Sequence, residues 1–435
     1  MNPITKRIVF LLFFVNLFFV QNEVFSASEE SSELQTEAER QRLQKLQNIQ
    51  PPNQSGVERG LVWLEGYFLE GILPNYKGFT PQVGTITSGS SIAFGGLYWK
   101  PNIGGSIIDL QVSGGYSILG YQEYELQIGR VTQKPTLFLE FPHFIGDIFQ
   151  FGDIRQEDRD FFLYADLDYR NFPQQDFFGI GPNSLEDNRT DYKLEGATYD
   201  AVVGYQFNRW LRTGLRVGFI QVNIDRGTDE SIPATQDVFN DISAPGLAKQ
   251  PDFFRLSSSL IFNYRDVPGN PHRGGVLGFM FTRYQDLDED QFSFNRFAFD
   301  ARHYLPLGSP ARVLAVRFFT SLDDTDEGNR VPFYLQETLG GSNTLQGFRS
   351  FRFQDTNLLY LAAEYRWEAL DYLEFALFYD TGKVFADRSD FNLTDLEDSY
   401  GFGVRFKAPS SVIFRFDIGH SVEGTQLYFA FGSTF

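Results

Sequence analysis

Apolar and polar residues alternate with a period of two along most of the chain. Tyr199, Ala201, Val203, Tyr205 and Phe207 interleave with Asp200, Val202, Gly204 and Gln206. Leu211, Leu215, Val217 and Phe219 are set against Arg212, Gly214, Arg216 and Gly218. Leu359, Leu361, Ala363, Tyr365 and Trp367 are set against Tyr360, Ala362, Glu364, Arg366 and Glu368. Tyr400, Phe402, Val404 and Phe406 do the same with Gly401, Gly403, Arg405 and Lys407. Successive side chains of a strand point to opposite faces, so each segment has one apolar and one polar face. In a soluble sandwich the apolar face would be the core. Here the other face carries charges beside glycines, strand after strand, which suits a wet lumen inside and lipid outside. The pattern predicts an all-β, transmembrane antiparallel β-barrel over residues 91–435. It has about 16 strands, an even number as is usual for single-chain bacterial barrels. Expected strands include 136–144 and a last one at 426–435. Leu361 and Phe416 are expected to face hydrocarbon.

The end of the chain fits this reading. Leu427, Phe429, Phe431 and Phe435 share one face, and Gln426, Ala430, Gly432 and Thr434 the other. Bacterial outer-membrane barrels commonly end on such an aromatic strand, which the insertion machinery reads; Phe429, Phe431 and Phe435 are the expected signal. At the other end, Lys6 and Arg7 precede an apolar run, residues 8–20, broken only by Asn16 and followed by Ser26 and Ala27. This predicts a secretory signal peptide over residues 1–27, too short to span a bilayer as a helix. Residues 28–60 are polar, then broken by Pro51-Pro52, and read as a periplasmic linker. Residues 61–90 are expected to form either a plug, a lid or an extra strand.

Composition sharpens the picture. The chain holds 48 Phe and 21 Tyr, yet its mean hydropathy is only −0.26. A barrel reconciles the two, because lipid-facing residues take only every second position. There is no cysteine, so disulfide and thiol chemistry are excluded. A net charge of −19 argues against nucleic acid as a partner. The acid clusters at 286–290 and 323–327 read as solvated loops, with bridging by divalent cations to lipopolysaccharide as the alternative. His143, His272, His303 and His420 are scattered without ligand spacing. Gly179-Ile180-Gly181 and Gly401-Phe402-Gly403 lack the strand–loop–helix context of a phosphate loop. No catalytic residue, metal or cofactor is expected.

The densest signal lies in residues 330–367, which contain Leu339-Gly340-Gly341 and Leu345-Gln346-Gly347-Phe348, followed by Phe378, Asp380 and Gly382. This resembles the barrel of the BamA/TamA family, the bacterial surface antigens. In that family a long extracellular loop folds back into the lumen and ends in an Arg-Gly-aromatic tip. The tip docks on a lumen-facing F-x-D-x-G segment. Asp266 followed by Pro271 and Gly274, and Phe177-Phe178-Gly179-Ile180-Gly181, are similar to two further family stretches. The resemblance covers about residues 90–435 and implies a short member without periplasmic repeat domains. One departure is at the tip, where Gln346 stands in place of the arginine. Gln346 carries no charge, so its contact with Asp380 should be weaker, and Arg349 and Arg352 are the candidates to replace it. Independently of the family, period two puts Glu364, Arg366, Glu374 and Asp380 on the inward face, where they can clasp a loop. Phe348 is expected to pack on lumen aromatics such as Phe378.

The resemblance implies an outer-membrane protein of a Gram-negative bacterium that assists translocation or insertion of protein or lipid. Expected partners are outer-membrane lipids and lipopolysaccharide, the outer-membrane assembly machinery during biogenesis, and a periplasmic partner protein. The reading from another class is a diffusion channel with the loop as constriction.

Overall fold

The computed structural model describes residues 78–131, 161–267, 269–408 and 411–434. Sixteen antiparallel strands form one sheet. In chain order they are β1 (Gly78–Gly84), β2 (Ala93–Lys100), β3 (Asp109–Ser117), β4 (Gln122–Arg130), β5 (Phe161–Phe177), β6 (Thr190–Gln206), β7 (Leu211–Arg226) and β8 (Phe253–Asn263). There follow β9 (Gly274–Asp286), β10 (Phe294–Pro306), β11 (Arg312–Thr325), β14 (Asn357–Leu370), β15 (Leu373–Phe385), β16 (Glu397–Ala408), β17 (Ser411–Ser421) and β18 (Gly424–Phe431). Between β11 and β14, two short strands, β12 (Glu337–Leu339) and β13 (Phe353–Asp355), pair only with each other. Otherwise each strand pairs with its neighbours in sequence, and the sheet curls into a nearly closed barrel.

The period of the sequence is the period of the wall. On β7, Leu215, Val217 and Phe219 are exposed. On β8, Leu256, Leu260 and Phe262 are exposed while Arg255 and Ser257, on either side of Leu256, are buried. The rule repeats on β10, where Phe297 is exposed and Arg296 and Asp300 are buried, and on β17, where Phe416 and Ile418 flank buried Asp417. Charges inside and aromatics outside reverse the soluble arrangement. A continuous apolar belt of this kind is stable only against hydrocarbon. One rim carries short turns, such as residues 207–210 and 371–372, and the other carries long loops, such as 227–252 and 326–356. In outer-membrane barrels short turns are periplasmic and long loops extracellular.

Several expectations need correction. Gln122 pairs with Asn171, so β4 lies directly beside β5. Residues 136–144 themselves lie outside the described residues, as do 1–77, which include the expected signal peptide and linker, and Phe435. The sheet instead begins earlier, at β1, which pairs with β2 from Gly78↔Trp99 to Gly84↔Ala93. β18 ends at Phe431, because Gly432 takes a φ of 75°, which an extended strand cannot hold. Leu361 keeps its outward parity but is 2 % exposed, whereas Phe416 is 46 % exposed and does meet the bilayer. Ala362 is fully buried in the cluster of loop and wall residues on the lumen side.

The loop acids are also more than solvated charge. The Asp286 carboxylate is buried and accepts the backbone N–H groups of Asp288, Glu289, Gln291 and Phe292 at 2.9–3.1 Å, which shapes the β9–β10 loop. Asp323 is buried and forked by Arg296 at 2.7 and 2.6 Å. Asp266 Oδ1 accepts the N–H groups of Val267, His272 and Arg273 and so closes the β8–β9 turn.

Arginine at a midplane lipid position costs about 2–4 kcal/mol, and much less toward a wet lumen. Phe416→Arg should therefore lower the stability of the protein in bilayers by about that amount. Ser259→Arg, on the lumen face of β8 and only partly buried, should change it far less. Urea titrations of folding into vesicles measure both; equal losses would mean that the facing is wrong.

Candidate functional site

The segment between β11 and β14 turns back into the barrel. Its base is fixed first. Arg296 on β10 donates to the Leu335 carbonyl at 2.8 Å and pairs with Glu337 at 3.2 Å, and Ser321 Oγ donates to Glu337 at 3.1 Å. β12 and β13 then give the segment a small ladder of its own, from Glu337↔Asp355 to Leu339↔Phe353. Asp355 lies in this inner ladder, and burial holds its carboxyl above the ordinary carboxylate range. Leu339, Leu345 and Phe348 are buried with Phe353, Tyr360, Ala362 and Val384 of loop and wall. The reversal needs glycine, since Gly340 and Gly341 have φ of 112° and 102°.

The tip of this loop meets the wall at Asp380 on β15, which is 1 % exposed. The Gln346 backbone N–H donates to Asp380 Oδ2 at 3.2 Å, and its side-chain amide donates to the same oxygen at 3.4 Å. Tyr360 OH donates to Oδ1 at 3.1 Å, and Ser399 Oγ donates to Oδ2 at 3.3 Å. A buried carboxylate with no cation beside it depends on such donors. Neither arginine that the sequence offers as replacement reaches Asp380: Arg349 pairs with Glu186 at 3.0 Å and Arg352 with Glu423 at 2.7 Å.

The following residues are held by the last two strands. The Gly347 carbonyl accepts from Ser421 Oγ at 2.8 Å, and the Phe348 carbonyl accepts from Tyr428 OH at 2.5 Å. A Cβ on Gly347 would lie 2.6 Å from the His420 backbone, and one on Gly419 would lie 2.1 Å from the Gln346 carbonyl oxygen. The tip and β17 thus approach backbone to backbone. On β15, a Cβ at Gly382 would crowd Leu339 at 3.1 Å. Phe348 packs on Phe353, with ring centroids 5.1 Å apart, rather than on Phe378. The Phe378 ring instead lies over Gly401 on β16, where any Cβ would strike it.

Glu364 and Arg366 do not touch the tip. They open a buried charge relay along the wall. Glu364 pairs with Arg366 at 2.5 Å and with Arg405 at 2.7 Å; Arg405 pairs with Asp417, and Asp417 with Arg415 at 2.7 Å. Arg415 completes the chain by donating to the Ser342 carbonyl at 3.0 Å and to Asn343 Oδ1 at 2.8 Å. The Thr434 hydroxyl accepts from Arg415 at 3.0 Å and from Arg405 at 3.3 Å, which ties the residues after β18 to the same network. Period two marks all these wall residues as inward. It does not mark Ser399, Ser421, Tyr428 or Arg415 as loop partners.

An Omp85 superfamily domain matches residues 107–435. No curated protein matches the chain. Among solved structures, the chain is similar to BamA from Haemophilus ducreyi lacking POTRA domains 1-3, at 13 % identity over 82 % of this chain and 70 % of that one, with a TM-score of 0.57. It is also similar to CdiB from Escherichia coli, at 13 % identity over 81 % of this chain and 62 % of that one, with a TM-score of 0.52. At such identity the likeness is one of fold, and the chain covers less than two thirds of the CdiB structure.

Gly419→Val should expel the tip from its slot, because the new side chain would occupy the space of the Gln346 carbonyl. Overpacking of this kind costs about 1–3 kcal/mol. Urea unfolding of the bilayer-inserted barrel should show that loss; an unchanged midpoint would mean that the tip does not rest on β17.

Proposed function

The chain belongs to the Omp85 superfamily, and on that premise we propose that it assists the translocation or insertion of protein or lipid at the outer membrane of a Gram-negative bacterium, where it resides. The observation that carries the reading is the edge of the sheet. Among the described residues no ladder joins β1 to β18. Unpaired backbone groups in hydrocarbon cost several kcal/mol each, so such an edge favours any partner that can add to it. The edge strands are also short, with 7 residues in β1 and 8 in β18 against 17 in β5 and β6. A wall that is short beside its weakest seam favours local thinning of the bilayer. A client strand or a lipid is what that seam suits.

The same reading assigns the partners. Outer-membrane lipids and lipopolysaccharide surround the belt, the assembly machinery inserts this barrel as it does others, and a periplasmic protein delivers the client. Glu364, Arg366 and Asp380 serve as the rigid wall on which the loop residues Gly340, Gly341, Gln346, Gly347 and Phe348 are mounted.

Conductance in planar bilayers separates this reading from a diffusion channel. The apolar loop segment packed into the lumen should leave the purified protein silent or flickering. A stable, ion-selective open state would favour the channel instead.

A further inference from the structure

The inner loop does more than fill the lumen, because it touches both sides of the unjoined edge. At the β17–β18 turn, the Arg352 guanidinium is 3 % exposed and donates from Nε to both Glu423 oxygens at 2.8 and 2.9 Å. Its other nitrogens donate to Ser184 Oγ at 2.9 Å and to the Ser184 carbonyl at 2.6 Å, on the β5–β6 loop. Two aromatic rings flank it, Phe353 at 4.5 Å and Phe178 at 5.1 Å from the guanidinium carbon. At the β1–β2 turn, Ser350 of the same loop shares a 2.8 Å hydrogen bond with Ser88.

We propose that residues 350–352 form a strap across the seam, with Arg352 as its latch, tying the β17–β18 hairpin to the β1–β2 turn at the loop end of the barrel. The inference rests on the proposed function, in which the seam must part. Arg352 is the firm end of this strap, and the bond at Ser88 is the end that gives first. A planar guanidinium forked onto a carboxylate, with aromatic faces excluding water, forms one of the stronger polar contacts available to a protein. The Ser350–Ser88 bond is neutral and weaker. Without the ladder that joins every other neighbouring pair of strands in the sheet, the strap carries the restraint on edge separation at this rim. Arg352 is therefore a positioning residue: it holds Ser350 in reach of Ser88 and touches no client.

Hydrogen exchange on the bilayer-inserted full chain tests this. Arg352→Ala removes the latch. Glu423→Gln, in a turn and nearly isosteric, keeps the fold while discharging the pair. In both, amides of β1 and β18 should exchange roughly tenfold faster, the scale of one lost charge-assisted contact, while amides of β9–β11 keep their rates. Edge amides that keep the wild-type rate in Glu423→Gln, or a rise no larger than that of β9–β11, overturns the latch. Assisted folding of a small urea-denatured outer-membrane barrel into the same vesicles is read in parallel. Faster edge exchange with unchanged assisted folding supports the latch and refutes the seam's part in the proposed function.

Discussion

A carboxylate shut away from bulk water with no cation beside it must be surrounded by donors. Asp380 meets that demand from four sources, of which two belong to the loop tip and two to the wall. Removing the tip would leave half of those bonds unmade in a buried site, a penalty larger than the worth of the bonds themselves. The inward course of residues 326–356 follows from this and from the apolar packing of Leu339, Leu345 and Phe348. The glycines at 347 and 419 are the steric condition for it, since the tip and β17 approach closer than any side chain allows.

The buried charge relay serves the same end by a different route. Arg366, Glu364, Arg405, Asp417 and Arg415 alternate in sign along the wall, so each charge has an opposite neighbour. Buried charges are tolerated only when paired in this way. The relay ends on the loop backbone at Ser342 and on Thr434 after the last strand. Loop, wall and chain end therefore form one polar unit beside the shortest strands. Buried polar contacts are concentrated in β14–β17 and the loop, while among the described residues β1 and β18 are each held by a ladder on one side only. That contrast is what a seam requires: a firm frame next to an edge that can part.

Much of the fold was legible because a barrel wall writes its geometry into every second residue. Parity alone places Arg216, Glu364, Arg366 and Arg405 inside and Phe219, Tyr400 and Phe416 outside. Where parity is weak, the reading fails. β1, Gly-Phe-Thr-Pro-Gln-Val-Gly, is short and carries proline and two glycines, so no alternation announces it. Leu361 has the right face but is covered on it, which a period cannot reveal. The contact of Gln346 with Asp380 joins two segments that the family resemblance names. The polar groups around it, Ser399, Ser421 and Tyr428, are ordinary strand residues, and only the folded register brings them to the tip. Arg352 and Glu423 stand 71 residues apart, and nothing local links them.

Residues 346–348 dock inside the barrel, with the Gln346 amides on Asp380. Since the chain has no cysteine, the pair Gln346→Cys and Asp380→Cys gives a direct measurement. A disulfide requires Cα atoms within roughly 7 Å. The folded, membrane-inserted protein should oxidise efficiently, with neither thiol labelled by an impermeant reagent added outside the cell. Two thiols that stay reduced and label readily would place the tip in solvent and contradict it.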